Sequence, residues 1–230
     1  MAELSNLWAE ELGRERPLEY VKMKEANSLT GQFARFTPTE RDARLLRFIG
    51  HIKKTALIGF SSVVPHEFFE LMRDMDVRGH LTRTYFHTFY ASMISLLKYV
   101  KDQGIPGPID FTFDEQMHES DIVLSEYSRF LESVPRDVRP LLGVRPIHRK
   151  DTEVMQLQAA DVLVWHARRY HAARSNGETF GSPVFDALTD LPLFEDFLTM
   201  PRMLKHAQLL RVAQEDVATI SPFTPGKPQP

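Results

Sequence analysis

Ile109-Asp110-Phe111-Thr112-Phe113-Asp114-Glu115-Gln116 alternates apolar and polar side chains before it closes on two carboxylates. Alternation of period two describes a strand with one buried face, and here it predicts a strand that delivers Asp114 at its carboxyl end. Gly104, Pro106, Gly107 and Pro108 precede it as turn residues. Upstream of these, Phe86, Phe89, Met93, Leu96, Leu97 and Val100 recur at three- and four-residue spacing, which predicts a long helix.

The same pattern continues in both directions. Leu57 to Val64 is a nearly continuous apolar run, as expected of a central strand, and Pro65 ends it before a short helix through Phe68, Phe69 and Met72. Thr37-Pro38-Thr39-Glu40 carries the chemistry of a helix start: an N-cap, a proline at the first helical position and a capping-box glutamate. Leu4, Leu7, Trp8 and Leu12 predict an opening amphipathic helix that ends near Gly13, and Leu18 to Met23 reads as a short strand. Further on we expect a helix over Ser120 to Leu131, a strand near Val144 to His148, a helix from Gln156 to Arg174 and a last helix from Arg202 to Asp216. Strands alternating with helices argue for an α/β layer fold in a single domain over residues 1–220. Residues 221–230 hold four prolines and read as a disordered tail.

Bulk composition excludes several classes. The chain has 230 residues, 43% apolar and 26% charged, with a net charge of -3 that argues neither for nor against a polyanionic partner. It has no cysteine, so disulfides and thiolate zinc sites are excluded. No apolar stretch reaches the ~20 residues needed to cross a bilayer, and no basic-then-apolar leader opens the sequence, so a cytoplasmic protein is expected. Gly-rich phosphate loops and Gly-x-Ser-x-Gly elbows are absent, which leaves kinase, ATPase and serine-hydrolase readings without support.

Two acids stand where apolar surroundings make an ionised carboxylate costly. Asp114 ends the strand, and Asp161 interrupts Gln158-Ala159-Ala160-Asp161-Val162-Leu163-Val164-Trp165. Gln158, Asp161 and Trp165 share one helix face, and Ala159 and Ala160 would let that helix approach the sheet and bring Asp161 near Asp114. A divalent metal is one partner that offsets such a pair. Strand-end and cap chemistry accounts equally for Asp114-Glu115, and a buried salt bridge to Arg168 or Arg145 accounts for Asp161. His118 could ligate a metal from a loop; His166 and His171, five apart, miss the same-face spacing. Arg168, Arg169 and Arg174 complement a helix end, and with Arg145, His148, Arg149 and Lys150 they could line a phosphate path.

Gln158-Ala159-Ala160-Asp161 followed by Arg168-Arg169-Tyr170, together with Phe113-Asp114-Glu115-Gln116, resembles the later motifs of the bacterial family of unknown function numbered 3800. Lys22-Met23-Lys24-Glu25 with Gly31-Gln32-Phe33 is similar to its segment after the first helix, so the likeness runs from about Trp8 to Arg174. The resemblance implies a ribonuclease-H-like mixed sheet flanked by helices, with an acidic Mg²⁺ or Mn²⁺ site acting on nucleic acid. It implies Asp114 and Asp161 as site acids, Glu25 as a third, Glu115 and Gln158 around them, and Arg168 and Arg169 nearby. Family members open with a strand hairpin carrying an Asp-Glu-Ser motif, and nothing like it precedes Trp8. The expectation is therefore either a longer gene product or a shortened relative, catalytically silent, serving as a binding or scaffold module in a phage-defence or mobile-element setting. Without that hairpin a sheet edge would be exposed and invite association between copies.

Overall fold

Thr37 begins the longest-range organiser of the first half, helix α3 (Pro38–Thr55), through the full capping box: its hydroxyl accepts from Glu40 N–H at 3.3 Å, and the Glu40 carboxylate accepts Thr37 N–H at 2.8 Å. That backbone bond, with Arg16 at 2.8 Å, holds the Glu40 carboxyl down at about 2. The computed structural model describes residues 2–75, 84–115, 117–125 and 127–197, with 199, 201, 202 and 204 beyond them. Before α3 come α1 (Ala2–Leu12) and α2 (Met23–Ser28). After it run β1 (Gly59–Val63), α4 (Glu67–Asp74), α5 (Thr84–Asp102), β2 (Thr112–Asp114), α6 (Met117–Ser125) and α7 (Tyr127–Ser133). β3 (Ile147–Arg149), α8 (Met155–Ser175), α9 (Pro183–Thr189) and β4 (Leu193–Phe197) complete the described chain.

The protein is mixed α/β and mostly helical, with two small parallel sheets of two strands each. β1 pairs β4, and β2 pairs β3 with Phe113 opposite His148 and Asp114 opposite Arg149. Among the described residues these remain two sheets, each strand bonded along one edge, where the apolar run at Leu57–Val64 predicts a central strand. β1 is correspondingly only half-buried beyond Gly59, and Leu57 stands 80% exposed. α8 packs against both β1 and β2. Gly59 permits that approach: a Cβ there would lie 2.4 Å from Leu193 and 3.2 Å from Leu163 of α8. Of the two alanines expected to bring α8 close, Ala159 is buried and Ala160 exposed.

Among the described residues two large apolar cores result, with a small third cluster around Phe68 and Met72. Trp8, Phe33, Phe48, Ile49, Val162 and Leu188 belong to one, beneath α1, α3, α8 and α9. Phe89, Met93, Leu97, Phe111, Val123 and Phe130 belong to the other, between α5, β2 and the α6–α7 pair. Phe113 meets Phe89 with ring centroids 4.3 Å apart, so the odd residues of β2 face α5 and Asp114 is left on the α8 side.

Several expectations need revision. Leu18 to Met23 forms no strand. Among the described residues no strand pairs with it; Leu18 N–H goes to Leu12 C=O, Val21 N–H goes to the Gln158 side chain, and α2 starts at Met23. The helix expected over Ser120 to Leu131 is matched by α6 and α7, which lie on either side of residue 126. The strand near Val144 shortens to Ile147–Arg149, with one further bridge between Ile109 and Leu142. α9 and β4 were not expected at all. The tail at 221–230 and the last helix, apart from helical positions 201, 202 and 204, lie outside the described residues. Among the described residues no helix is long and apolar enough to cross a membrane.

Candidate acidic site

Three segments distant in sequence deliver carboxylates to one place. β2 supplies Asp114, the turn after β3 supplies Asp151, and the second turn of α8 supplies Asp161. Asp114 Oδ1 accepts Asp151 N–H at 3.1 Å. Asp161 Oδ2 accepts Met23 N–H at 2.9 Å, at the first residue of α2. Lys22 Nζ lies 3.0 Å from Asp151 Oδ2. Burial raises the Asp114 carboxyl above its ordinary value, and the neighbouring Asp151 raises it further. Burial raises Asp161 as well, with Asp151 and Asp114 adding to it against the Met23 N–H. The hydrogen bond to Asp151 raises Lys22, and the fields of all three acids act in the same direction. The acids thus repel one another, and the Lys22 ammonium lies within reach of their fields.

Gln158 fixes this geometry. Its buried Oε1 accepts from Trp8 Nε1 and from Val21 N–H, both at 2.9 Å, and its Nε2 donates to Asp151 C=O at 3.0 Å. One amide thereby ties α1, the segment leading to Lys22 and the Asp151 turn to the start of α8. An open cleft of ≈ 400 Å³ is lined by two of these acids, Asp114 and Asp151, with Lys22, Glu115, Lys150 and Thr152.

The expected residues divide. Asp114 lines the cleft and Asp161 holds Met23 N–H beside Lys22 without lining it, and Glu115 is exposed at the cleft. Glu25 is engaged elsewhere: Oε1 accepts Tyr20 O–H at 2.9 Å and Oε2 accepts Gln32 N–H at 2.8 Å. Its carboxylate sits over Gly31, whose φ of +50 and missing Cβ make room; a Cβ would lie 2.1 Å from Oε2. Arg168 is exposed on α8, and Arg169 lies over the Trp165 and Phe180 rings at 5.3 and 5.9 Å. Neither Arg168 nor Arg145 forms the salt bridge offered for Asp161; Arg145 donates instead to Leu124 C=O. His166 is buried against Val162 C=O, His171 meets Glu195 at 2.7 Å, and His148 stacks on Phe89 and meets Tyr85 O–H at 3.2 Å. The His118 side chain lies outside the described residues.

Lys22 and Asp151 went unrecognised in the sequence. Asp151 follows the cationic Arg149-Lys150 at a strand end, the placement that singled out Asp114, and that is the signal that could have found it. Among the described residues no group of three or more His, Asp or Glu side chains is arranged to hold a metal ion by itself. A closed protein cage for a metal therefore does not fit. An open site does, because Mg²⁺ is commonly held by one or two carboxylates with water and substrate phosphates as its other ligands. Comparison with known proteins finds no family model, no curated relative and no solved structure that matches this chain, so the likeness to family 3800 rests on the quoted motifs.

Proposed function

We propose that the chain is a ribonuclease-H-like protein acting as a Mg²⁺- or Mn²⁺-dependent phosphodiesterase on nucleic acid, with Asp114 and Asp161 as its protein ligands. The observation that carries this reading is a convergence: Asp114 Oδ1 accepts Asp151 N–H at 3.1 Å, both acids line an open cleft, and burial raises the Asp114 and Asp161 carboxyls alike. Parallel strands covered by α5 and α8, with the acid at a strand's carboxyl end, support the architectural part. Asp151 N–H and Met23 N–H orient the two ligand carboxylates, and Lys150 and Thr152 line the cleft where a phosphodiester would rest. A bound divalent ion supplies charge stabilisation at the phosphoryl oxygens.

Thermal melts with and without Mn²⁺ test this directly. The wild type gains stability with Mn²⁺ by mass action, and Asp114→Asn and Asp161→Asn each lose that gain. Mn²⁺-dependent cleavage of labelled single- and double-stranded oligonucleotides should disappear in both variants. A melting point indifferent to Mn²⁺ would sink the reading. The second reading, a catalytically silent binding module, is favoured by one observation: Lys22 already provides an internal cation at 3.0 Å from Asp151. It predicts nucleic-acid binding without cleavage at any metal concentration.

A further inference from the structure

The second half of α8 interleaves cations with aromatic rings. Arg169 lies over the Trp165 ring at 5.3 Å and over the Phe180 ring at 5.9 Å, and Arg174 Nη1 donates to Tyr170 Oη at 3.1 Å. Arg168, Arg169 and Arg174 are exposed, and Trp165, Tyr170 and Phe180 are each part-exposed. Among the described residues no ion pair engages any of these arginines, although Glu178 and Asp186 stand exposed nearby in sequence. Complementing the helix dipole accounts for Arg174 in the last turn; it does not account for Arg168 and Arg169, which lie before that turn. We propose that this face of α8 binds a single-stranded nucleic acid, its phosphates met by the arginines and its bases stacked on the part-exposed rings. Charge alone would suit any polyanion. The open rings select a single strand, because a duplex keeps its bases stacked on one another. Trp165 follows Asp161 by one turn, about 6 Å along the axis, so a strand lying there passes beside the acidic site. The inference deepens the nucleic-acid part of the reading above and uses none of its metal chemistry.

Titration in EDTA separates this surface from the acids. An unlabelled single-stranded oligonucleotide should bind the wild type and quench its tryptophan emission; Trp8 is fully buried, so the quench reports Trp165. Trp165→Phe keeps a ring at that position: it loses the quench while the anisotropy of a labelled strand still reports binding. In Arg168→Gln the slope of log affinity against log salt falls by about 0.7, the value of one phosphate contact on a single strand. Arg73→Gln, at an exposed cation on α4, is the control and leaves the slope unchanged. An abasic strand of equal length keeps its phosphates and loses its stacking, so it binds about tenfold more weakly, the order of one lost stack. No binding by the wild type, binding without a quench, an unchanged slope in Arg168→Gln, or equal affinity for the abasic strand overturns the platform. Stabilisation by Mn²⁺ tests the acids separately, so either reading can fall while the other stands.

Discussion

Two places in this protein bury charge, and they are balanced in opposite ways. Between α1 and α3 the fully buried Glu11 meets Arg44 and Arg14 at 3.3 Å and Arg47 at 2.7 Å, with His51 at 3.8 Å. Arg44, itself buried, also donates to the carbonyls of Glu11, Leu12 and Glu15 and so closes the end of α1. There one carboxylate is over-answered by three guanidinium groups, and the whole reads as a clamp between two helices. At the acidic site burial and neighbouring carboxylates raise Asp114 and Asp161, and the Lys22 ammonium stands 3.0 Å from Asp151 at an open cleft. Both cost desolvation; the first is enclosed between helices and the second borders solvent.

The largest expected effect tests the balanced side. Glu11→Ala strands Arg44 in the interior and should cost about 3–5 kcal/mol in urea unfolding, whereas Arg47→Gln, at a half-exposed partner, should cost about 1 kcal/mol or less. Similar losses from the two would break the picture of a buried hub. Gln158→Leu comes next. It leaves the Trp8 and Val21 N–H groups and the Asp151 carbonyl without their partner, for a loss of about 3 kcal/mol. It should also weaken Mn²⁺ stabilisation, since it frees the segments carrying Lys22 and Asp151. On the unbalanced side the sign reverses: Asp161→Asn relieves repulsion, keeps an acceptor for Met23 N–H, and should raise the metal-free melting point or leave it unchanged. A clear fall would place Asp161 with the structural charges.

The smallest effect is the pH dependence, and it separates two kinds of acid. The folded-state values of Asp114 and Asp161 are raised, so the folded protein binds their protons more readily than the unfolded chain. Their contribution without metal therefore improves as pH falls from 7 through the folded values toward the ordinary carboxylate range. Glu40 is lowered from 4.5 to about 2, so its stabilisation is present above the ordinary value and is lost as pH falls toward 2. Difference melts across pH 3–7 should show opposite slopes for the Asp114→Asn/Asp161→Asn double variant and for Glu40→Gln. Matching slopes would contradict the assignment of either.

Local chemistry was legible in the sequence wherever one segment decides its own structure. The Thr37–Glu40 cap, the alternation ending on Asp114 and the apolar spacing of α5 need no distant partner to be read. Leu18 to Met23 looked like a strand because its composition suits one, yet its backbone bonds go to α1 and to a side chain of α8. Glu25 illustrates the converse. Its motif suggested a site acid, and its carboxylate is engaged by Tyr20 and Gln32 around a glycine turn. Lys22 could not be singled out, because what marks it is a distance across the fold; Asp151 shares the strand-end placement that drew attention to Asp114 but follows no apolar stretch.

The bonds that assemble the acidic site join residues 137, 138 and 150 positions apart. A chain made from its N-terminus exposes Trp8, Val21 and Met23 long before Gln158 and Asp161 exist to receive them. Closing loops of that length carries a large entropic cost that only the completed α8 can offset. The site must consequently be among the last features to form during synthesis, and a nascent chain stopped before residue 158 has no means of building it.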